Sequence, residues 1–354
     1  DLVNQIGDLT FATQGRGSVG HLHPIVVGEL TGEFGADELN FVHYDGVGPG
    51  LTGIERGEAD IAAFTATSGH NVAVGYDNLD LIFVYAVPEG VDESDGERPL
   101  SPNQYYARLS QRFVNALTVL TPEGRLYEVD MRLRPSGNQG PVASSLASFE
   151  KYHTEDSWTW EHMALSRARI VCGPPPLNAR VDKVIRDTLL ADRDHARLAR
   201  DVAAMRDRMA RAKGAETVWD VKNVRGGLVD IEFIAQFLIL RHGTAHPQLL
   251  HPDPGAVLDA AGAAGLLDPD DMAAVLHAHQ LFTQVQGVLR LTVEGTFDEA
   301  QASDGLRRVL AQAADVPDLE PLKAHMEETA ARVRAVFDRL IDQPAKEAPA
   351  DDGS

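Results

Sequence analysis

The period of the apolar positions changes along this chain. Up to about residue 75, short apolar runs alternate with glycine-punctuated stretches. LTFATQ, LNFVHY and ADIAAFTA predict strands, and HLHPIVVGELTGEFG and GPGLTGIERGE predict helices between them, an α/β order. Asp80–Tyr85 predicts a further strand, opened by an acidic pair in DNLDLIFVY, and GVDESDGERPLSPNQ predicts a loop. YYARLSQRFVNALTVL carries Tyr106, Leu109, Phe113, Leu117 and Leu120 at helical spacing. In TPEGRLYEVDMRLRP a turn leads into a strand. Leu126, Val129, Met131 and Leu133 are its apolar residues, and a period of two puts Asp130, Arg132 and Arg134 on the opposite face. After CGPPPL the chain becomes rich in Ala, Leu and Arg. Helical patterns at 178–213, 228–242, 269–295, 303–315 and 319–342 predict a bundle. PAKEAPADDGS predicts a disordered tail.

Composition narrows the function classes. An apolar content of 44% over 354 residues supports folded cores, enough for two or three domains. The formal net charge of −21 repels phosphate backbones and anionic lipid, so nucleic acid and membrane surfaces are not expected partners. A nucleotide carried by a divalent metal stays compatible, because the ion supplies the positive charge. The single cysteine, Cys172, allows neither an internal disulfide nor a cysteine zinc cluster, which fits a reducing cytoplasm. No apolar run approaches the length of a membrane span. The chain opens at Asp1 with no signal-peptide pattern, so a longer native polypeptide is expected.

Three places carry candidate chemistry. In GRGSVG, Gly15, Gly17 and Gly20 match a GxGxxG spacing, with Asp37 and Glu38 downstream, as in a dinucleotide site. Ser18 and Gly20 at a helix N-terminus would equally cradle a carboxylate, and a plain turn has the same composition. Second, nucleotidyl transfer needs carboxylates on neighbouring strands to hold divalent ions, and Asp80 and Asp130 both sit at strand positions. Arg132 and Arg134, on Asp130's face, would meet phosphate oxygens; a simple Asp–Arg ion pair beside a turn at Asp77–Asn78 reads the same residues. Third, GGLVDIEFIAQFLILRHG predicts a buried helix, started at Gly226–Gly227 and stopped at Gly243. Asp230, Glu232 and Gln236 are its polar exceptions, serving either a site or interdomain hydrogen bonds. Trp158, Trp160, Glu161 and His162 pose the same choice, with the tryptophans read as core or interface anchors. Of the histidines, His21, His23, His242, His246 and His251 form the closest groupings, none with a zinc pattern, and no Gly-x-Ser-x-Gly elbow is present.

Two resemblances sharpen these expectations. LTFATQGRGSVGHLHPIVVGELTG, followed by HYDGVGPGLTGIERGEADIA, resembles one lobe of the periplasmic solute-binding proteins of tripartite tricarboxylate transporters. That likeness implies a small-carboxylate module over 1–75, in which a single lobe should bind poorly; Ser18 and Gly20 are the carboxylate contacts of the helix N-terminus reading above. DNLDLI, LYEVDMRLRPSGNQGPVASSLASFEKYHTEDSWTWEHMALSRARIVCG and WDVKNVRGGLVDIEFIAQFLILRHG resemble the glutamine synthetase adenylyltransferase family, in particular its AMP-attaching half. This second resemblance implies an α+β fold: a polymerase-β-like nucleotidyltransferase palm at 76–175, an all-helical domain at 176–342 and a disordered tail at 343–354, preceded by the α/β segment. It implies Mg²⁺ as cofactor, ATP as substrate, a cytoplasmic location, and glutamine synthetase and a PII-type signal protein as partners. Asp80 and Asp130 become metal carboxylates, Arg132 and Arg134 phosphate contacts, and Asp230 and Glu232 supporting residues. The chain departs from the family at two points. The first carboxylate falls on Asn78, with Asp77 one residue out of step. The family's glycine-rich phosphate loop is replaced by ATSGHNVAVGY, as at a junction between two families. Both departures would weaken the chemistry. A protein that docks on glutamine synthetase without catalysis is the remaining reading.

Overall fold

The computed structural model describes residues 10–13, 40–43, 61–65, 78–96, 98–121, 124–125, 128–215, 217–293 and 295–347. Their backbone divides into two compact units: one holds the described residues up to 157 together with 168–185, and the other holds 158–167 and 186–347.

In the first unit, β1 (Thr10–Thr13) and β2 (Asn40–His43) pair in parallel, as the early strand–helix–strand order predicts. The helices expected around them lie outside the described residues. The main sheet is built on β4 (Asn78–Tyr85). On one edge β4 pairs antiparallel with β3 (Ile61–Thr65), and β3 in turn pairs with β9 (Arg169–Cys172). Its other edge is shared by β7 (Glu128–Asp130) and β8 (Ala143–Ser145), both parallel to it. The run ADIAAFTA, which precedes the expected boundary at residue 75, thus contributes a strand to the same sheet.

Leu81 through Tyr85 are all buried, which is why this strand reads as an unbroken apolar run. The odd-numbered side of β4 packs on α1 (Pro102–Thr118). Tyr85 stacks on Tyr106 at 4.2 Å, Phe83 meets Phe113 edge-on at 5.7 Å, and Leu79, Leu109 and Val129 fill in around them. The helix ends two residues before Leu120, which instead opens a hairpin of β5 (Leu120–Thr121) and β6 (Gly124–Arg125) and stays exposed. Short helix α2 (Leu146–Lys151) continues as a wider π-helical turn, Tyr152–Asp156.

The second unit is helical. It contains α3 (Thr159–Leu165), the last turn of α4 (Pro175–Leu189), α5 (His195–Ala212), α6 (Leu228–His242), α7 (Pro254–Ala263), α8 (Pro269–Thr292), α9 (Asp304–Ala313) and α10 (Leu319–Phe337). The pattern at 178–213 is two helices rather than one. Asp194 stops the run because its carboxylate accepts from the N–H groups of Ala196 and Arg197 and caps α5. Helix α7 was not predicted; Asp253 caps it and Pro254 begins it. Residues 343–347, assigned above to a disordered tail, form α11 (Gln343–Glu347), since this segment packs on α5.

Helix α6 is the axis of this unit, with Ile231, Ile234 and Phe237 essentially inaccessible and neighbours in α3, α5, α7, α8 and α10. Gly226, just before it, has φ +85, and a Cβ there would stand 1.9 Å from the Ala330 carbonyl oxygen of α10. Gly226→Ala is therefore expected to cost about 3 kcal/mol, through backbone strain plus a displaced helix, read as a lower urea midpoint at unchanged helical content.

At the other end of α6, His242 is half-buried. Burial first, then the neighbouring Arg241, His195 and His246, push its imidazole from 6.5 down to about 4. An unfolded chain takes up this proton near 6.5 and the folded one only near 4, so His242 removes stability as pH falls through that window. The loss is expected to be about 1–2 kcal/mol, discounted for a ring partly in solvent. His242→Gln should make the urea midpoint less acid-sensitive than that of the parent between those limits.

Candidate active site

The acidic pair is organised by strand register. β4 and β7 run parallel with Asn78 opposite Glu128, Leu79 opposite Val129 and Asp80 opposite Asp130. Leu79 and Val129 both pack into the cluster beneath α1. Because side chains alternate along a strand, Asp80 and Asp130 both leave the sheet on the other face. Glu128, two residues before Asp130, shares that face; the i, i+2 spacing in EVD is the signal that marks it, and the sequence reading passed over it. The side chain of Asn78 and all of Asp77 lie outside the described residues, as do Ser18 and Gly20. Among the described residues no three His, Cys, Asp or Glu side chains converge on one point.

Asp130 is largely covered, at 12% side-chain exposure, whereas its partner Arg132 is 72% exposed. The Asp130 carboxylate accepts from the Arg132 backbone N–H at 2.8 Å and from Nε at 2.7 Å, with Nη2 also in contact. The hydrogen bond it donates to the Asp130 carboxylate, then that carboxylate's charge, and last the charge of Asp80 hold the Arg132 guanidinium above its ordinary value. One cation therefore sits within the field of both carboxylates.

Arg134 is placed differently. β7 ends at Asp130, so the period of two does not continue to residue 134. The chain turns instead, and Arg134 folds back: Nη1 donates to the Met131 carbonyl at 2.7 Å and Nε to that of Gly140 at 3.3 Å. It closes the 131–140 loop, where Ser136 and Gly137 both take positive φ and a Cβ on Gly140 would strike the Pro135 carbonyl at 1.9 Å.

The polar residues of α6 serve the helical unit itself. Asp230 is fully buried and pairs with the buried Arg206 of α5; it also accepts from the Gly226 N–H. Arg206 Nη2 donates to the carbonyls of Asn223 at 3.0 Å and Val224 at 3.3 Å. Burial pushes the Asp230 carboxyl up, while Arg206 and the Gly226 N–H pull it back. Glu232 pairs with Arg167 at 2.7 Å. Glu161 accepts from the Trp158 N–H at 2.9 Å and so caps the start of α3. Trp158, at 68% exposure, is not a core anchor, and Trp160 is also exposed.

A family model described as glutamate-ammonia ligase adenylyltransferase matches residues 72–184. Over those residues the chain is similar to the glutamate-ammonia ligase adenylyltransferase family. A second model, described as GlnD PII-uridylyltransferase, matches residues 190–341, the helical part. Curated relatives named bifunctional glutamine synthetase adenylyltransferase/adenylyl-removing enzyme extend across both. The relative from Xanthobacter autotrophicus is 43% identical over 294 residues, 83% of this chain and 30% of the relative. One from Rhodopseudomonas palustris is 40% identical over 333 residues, 94% of this chain and 32% of the relative, so its match reaches well into the segment before residue 76. One from Bradyrhizobium is 44% identical over 266 residues, 75% of this chain and 27% of the relative. The chain thus spans roughly a third of the length of these relatives. Among the described residues, no helix is long and apolar enough to cross a membrane.

Proposed function

We propose that this chain transfers AMP from ATP to a tyrosine hydroxyl of glutamine synthetase, in the cytoplasm, and that the sheet around β4 is a polymerase-β-like palm. The observation that carries this reading is the pairing of Asp80 with Asp130 in register on adjacent parallel strands, with both side chains on the face away from α1. The names of the relatives supply the substrate and the partner.

Two carboxylates fit Mg²⁺, which keeps several waters and takes one or two carboxylates plus substrate phosphates. When bound, the ion would offset charge on the triphosphate. Asp80 and Asp130 would hold it, with Asn78 as a neutral and weaker third ligand. Arg132, itself exposed and paired with Asp130, would turn from that carboxylate to the phosphate oxygens, which offer its planar guanidinium a bidentate partner of higher charge. In the transfer the tyrosine oxygen bonds to the α-phosphorus, the bond to the β,γ-diphosphate breaks, and diphosphate leaves with the electron pair. The hydroxyl proton passes to the Asp130 carboxylate. A PII-type signal protein is the second proposed partner, in keeping with the uridylyltransferase-like match of the helical part.

Incubation of the chain with glutamine synthetase, α-labelled ATP and Mg²⁺ tests this. Label should appear on glutamine synthetase, vanish with EDTA, and increase in Asn78→Asp. Binding to glutamine synthetase with no label from either protein would favour docking without catalysis. Thermal stabilisation by dicarboxylates but not by ATP–Mg²⁺ would favour the solute-binding reading. A parallel incubation of adenylylated glutamine synthetase with phosphate tests the adenylyl-removing activity in the relatives' name.

A further inference from the structure

We propose that His277 and His325 form a two-imidazole site for a late first-row divalent ion, Zn²⁺ or Ni²⁺, within the helical unit. His277 projects from α8 and His325 from α10, and their Nε2 atoms stand 3.0 Å apart with the rings inclined at 59°. Imidazole nitrogens bind such ions at about 2.0–2.1 Å, so two nitrogens on one tetrahedral ion lie roughly 3.3 Å apart. The observed separation needs only a few tenths of an ångström of side-chain adjustment.

The pair lines a groove of about 620 Å³, with His277 exposed and His325 half-buried, so an ion can enter and keep water ligands. Asp270, Asp271 and Glu328 line the same groove with Arg332 and Arg339, so its charged side chains leave a small negative excess. Asp271 is tied to Arg339, and Glu328 to Arg332 at 2.6 Å. These two carboxylates are therefore neutralised and are not fixed ligands, so the imidazoles carry the binding, in keeping with the absence of any three-ligand cluster among the described residues. Two nitrogens plus water give a micromolar site, far weaker than a closed four-ligand one. Nitrogen donors also select against Mg²⁺, which prefers oxygen, so this site is distinct from that of the proposed transfer. An ion held by both helices would clamp α8 to α10.

Calorimetric titration of the full chain with ZnCl₂, NiCl₂ and MgCl₂ tests the proposal. The expected result is one equivalent of Zn²⁺ or Ni²⁺ bound in the micromolar range, with no response to Mg²⁺. Affinity should fall at least tenfold in His277→Ala and in His325→Ala but not in His251→Ala, with helical content unchanged in all three. Zn²⁺ should raise the melting temperature of the parent and not of the two groove variants; His277→Gln, which keeps a polar side chain, should behave like His277→Ala. Uptake no tighter than millimolar, or equal uptake in the groove variants and the parent, would overturn it. Neither readout depends on AMP transfer.

Discussion

Asp130→Asn is expected to lower AMP transfer to glutamine synthetase by about a thousandfold or more, with the melting temperature nearly unchanged. The substitution keeps the shape of the side chain and its hydrogen-bonding reach but removes the charge that would hold Mg²⁺ and the base that would take the hydroxyl proton. Two such losses together come to about 4 kcal/mol or more of transition-state stabilisation, and every ~1.4 kcal/mol is tenfold in rate. Stability should move little, because the asparagine oxygen can still accept from the Arg132 backbone N–H and the Arg132 guanidinium stays in solvent, 72% exposed. Asp80→Asn should behave in the same way. The double variant should be little worse than either alone, since the two carboxylates act as one unit. Single-turnover transfer measured beside thermal melts checks this. Rates within tenfold of the parent would remove Asp80 and Asp130 from the chemistry, whatever their register.

The opposite separation is expected at Arg206. Arg206→Ala leaves the fully buried Asp230 without its charge partner, and such a broken buried pair costs about 3–5 kcal/mol. For a unit of this size that lowers the melting temperature by about 8–15 °C. The carbonyls of Asn223 and Val224 lose their donor as well, which loosens the turn that presents Gly226 to Ala330. Replacing both partners by apolar side chains, Arg206→Met with Asp230→Leu, should restore much of the loss, because no buried charge is then left alone. Recovery will be incomplete, since the Gly226 N–H still lacks its acceptor. Well below the melting transition, transfer per folded molecule should stay close to that of the parent. A large loss of transfer without a loss of stability would return Asp230 to the active site.

The contrast between these two carboxylates shows how far the chain could be read without coordinates. Both are acidic residues in apolar surroundings. The run DLIFVY announces a strand buried on both faces, and EVDMRLRP announces another strand. Local spacing cannot say that the second ends at Asp130, which turns Arg134 back onto its own loop while Arg132 stays on the carboxylate. In GGLVDIEFIAQ the apolar residues cover most of the circumference, so a buried Asp230 in need of a partner follows from the sequence. That the partner is Arg206, 24 residues earlier on α5, does not. The break at Asp194 and helix α7 were missed because capping and proline chemistry interrupts an otherwise continuous Ala- and Leu-rich pattern.

The sequence by itself determined the elements that rest on local periodicity: the buried strand at 80–85, the glycine-bounded helix at 228–242, the helical character of the second half, and the motifs that mark the family. The tertiary structure alone decided which residues meet. It set Asp80 beside Asp130 through strand register, brought the run at 61–65 into the same sheet, and paired Asp230 with Arg206 and His277 with His325. The physical reason is that periodicity is a property of neighbours along the chain, whereas register and packing pair groups tens of residues apart, and burial and hydrogen-bond satisfaction select those pairs only once the chain has closed on itself.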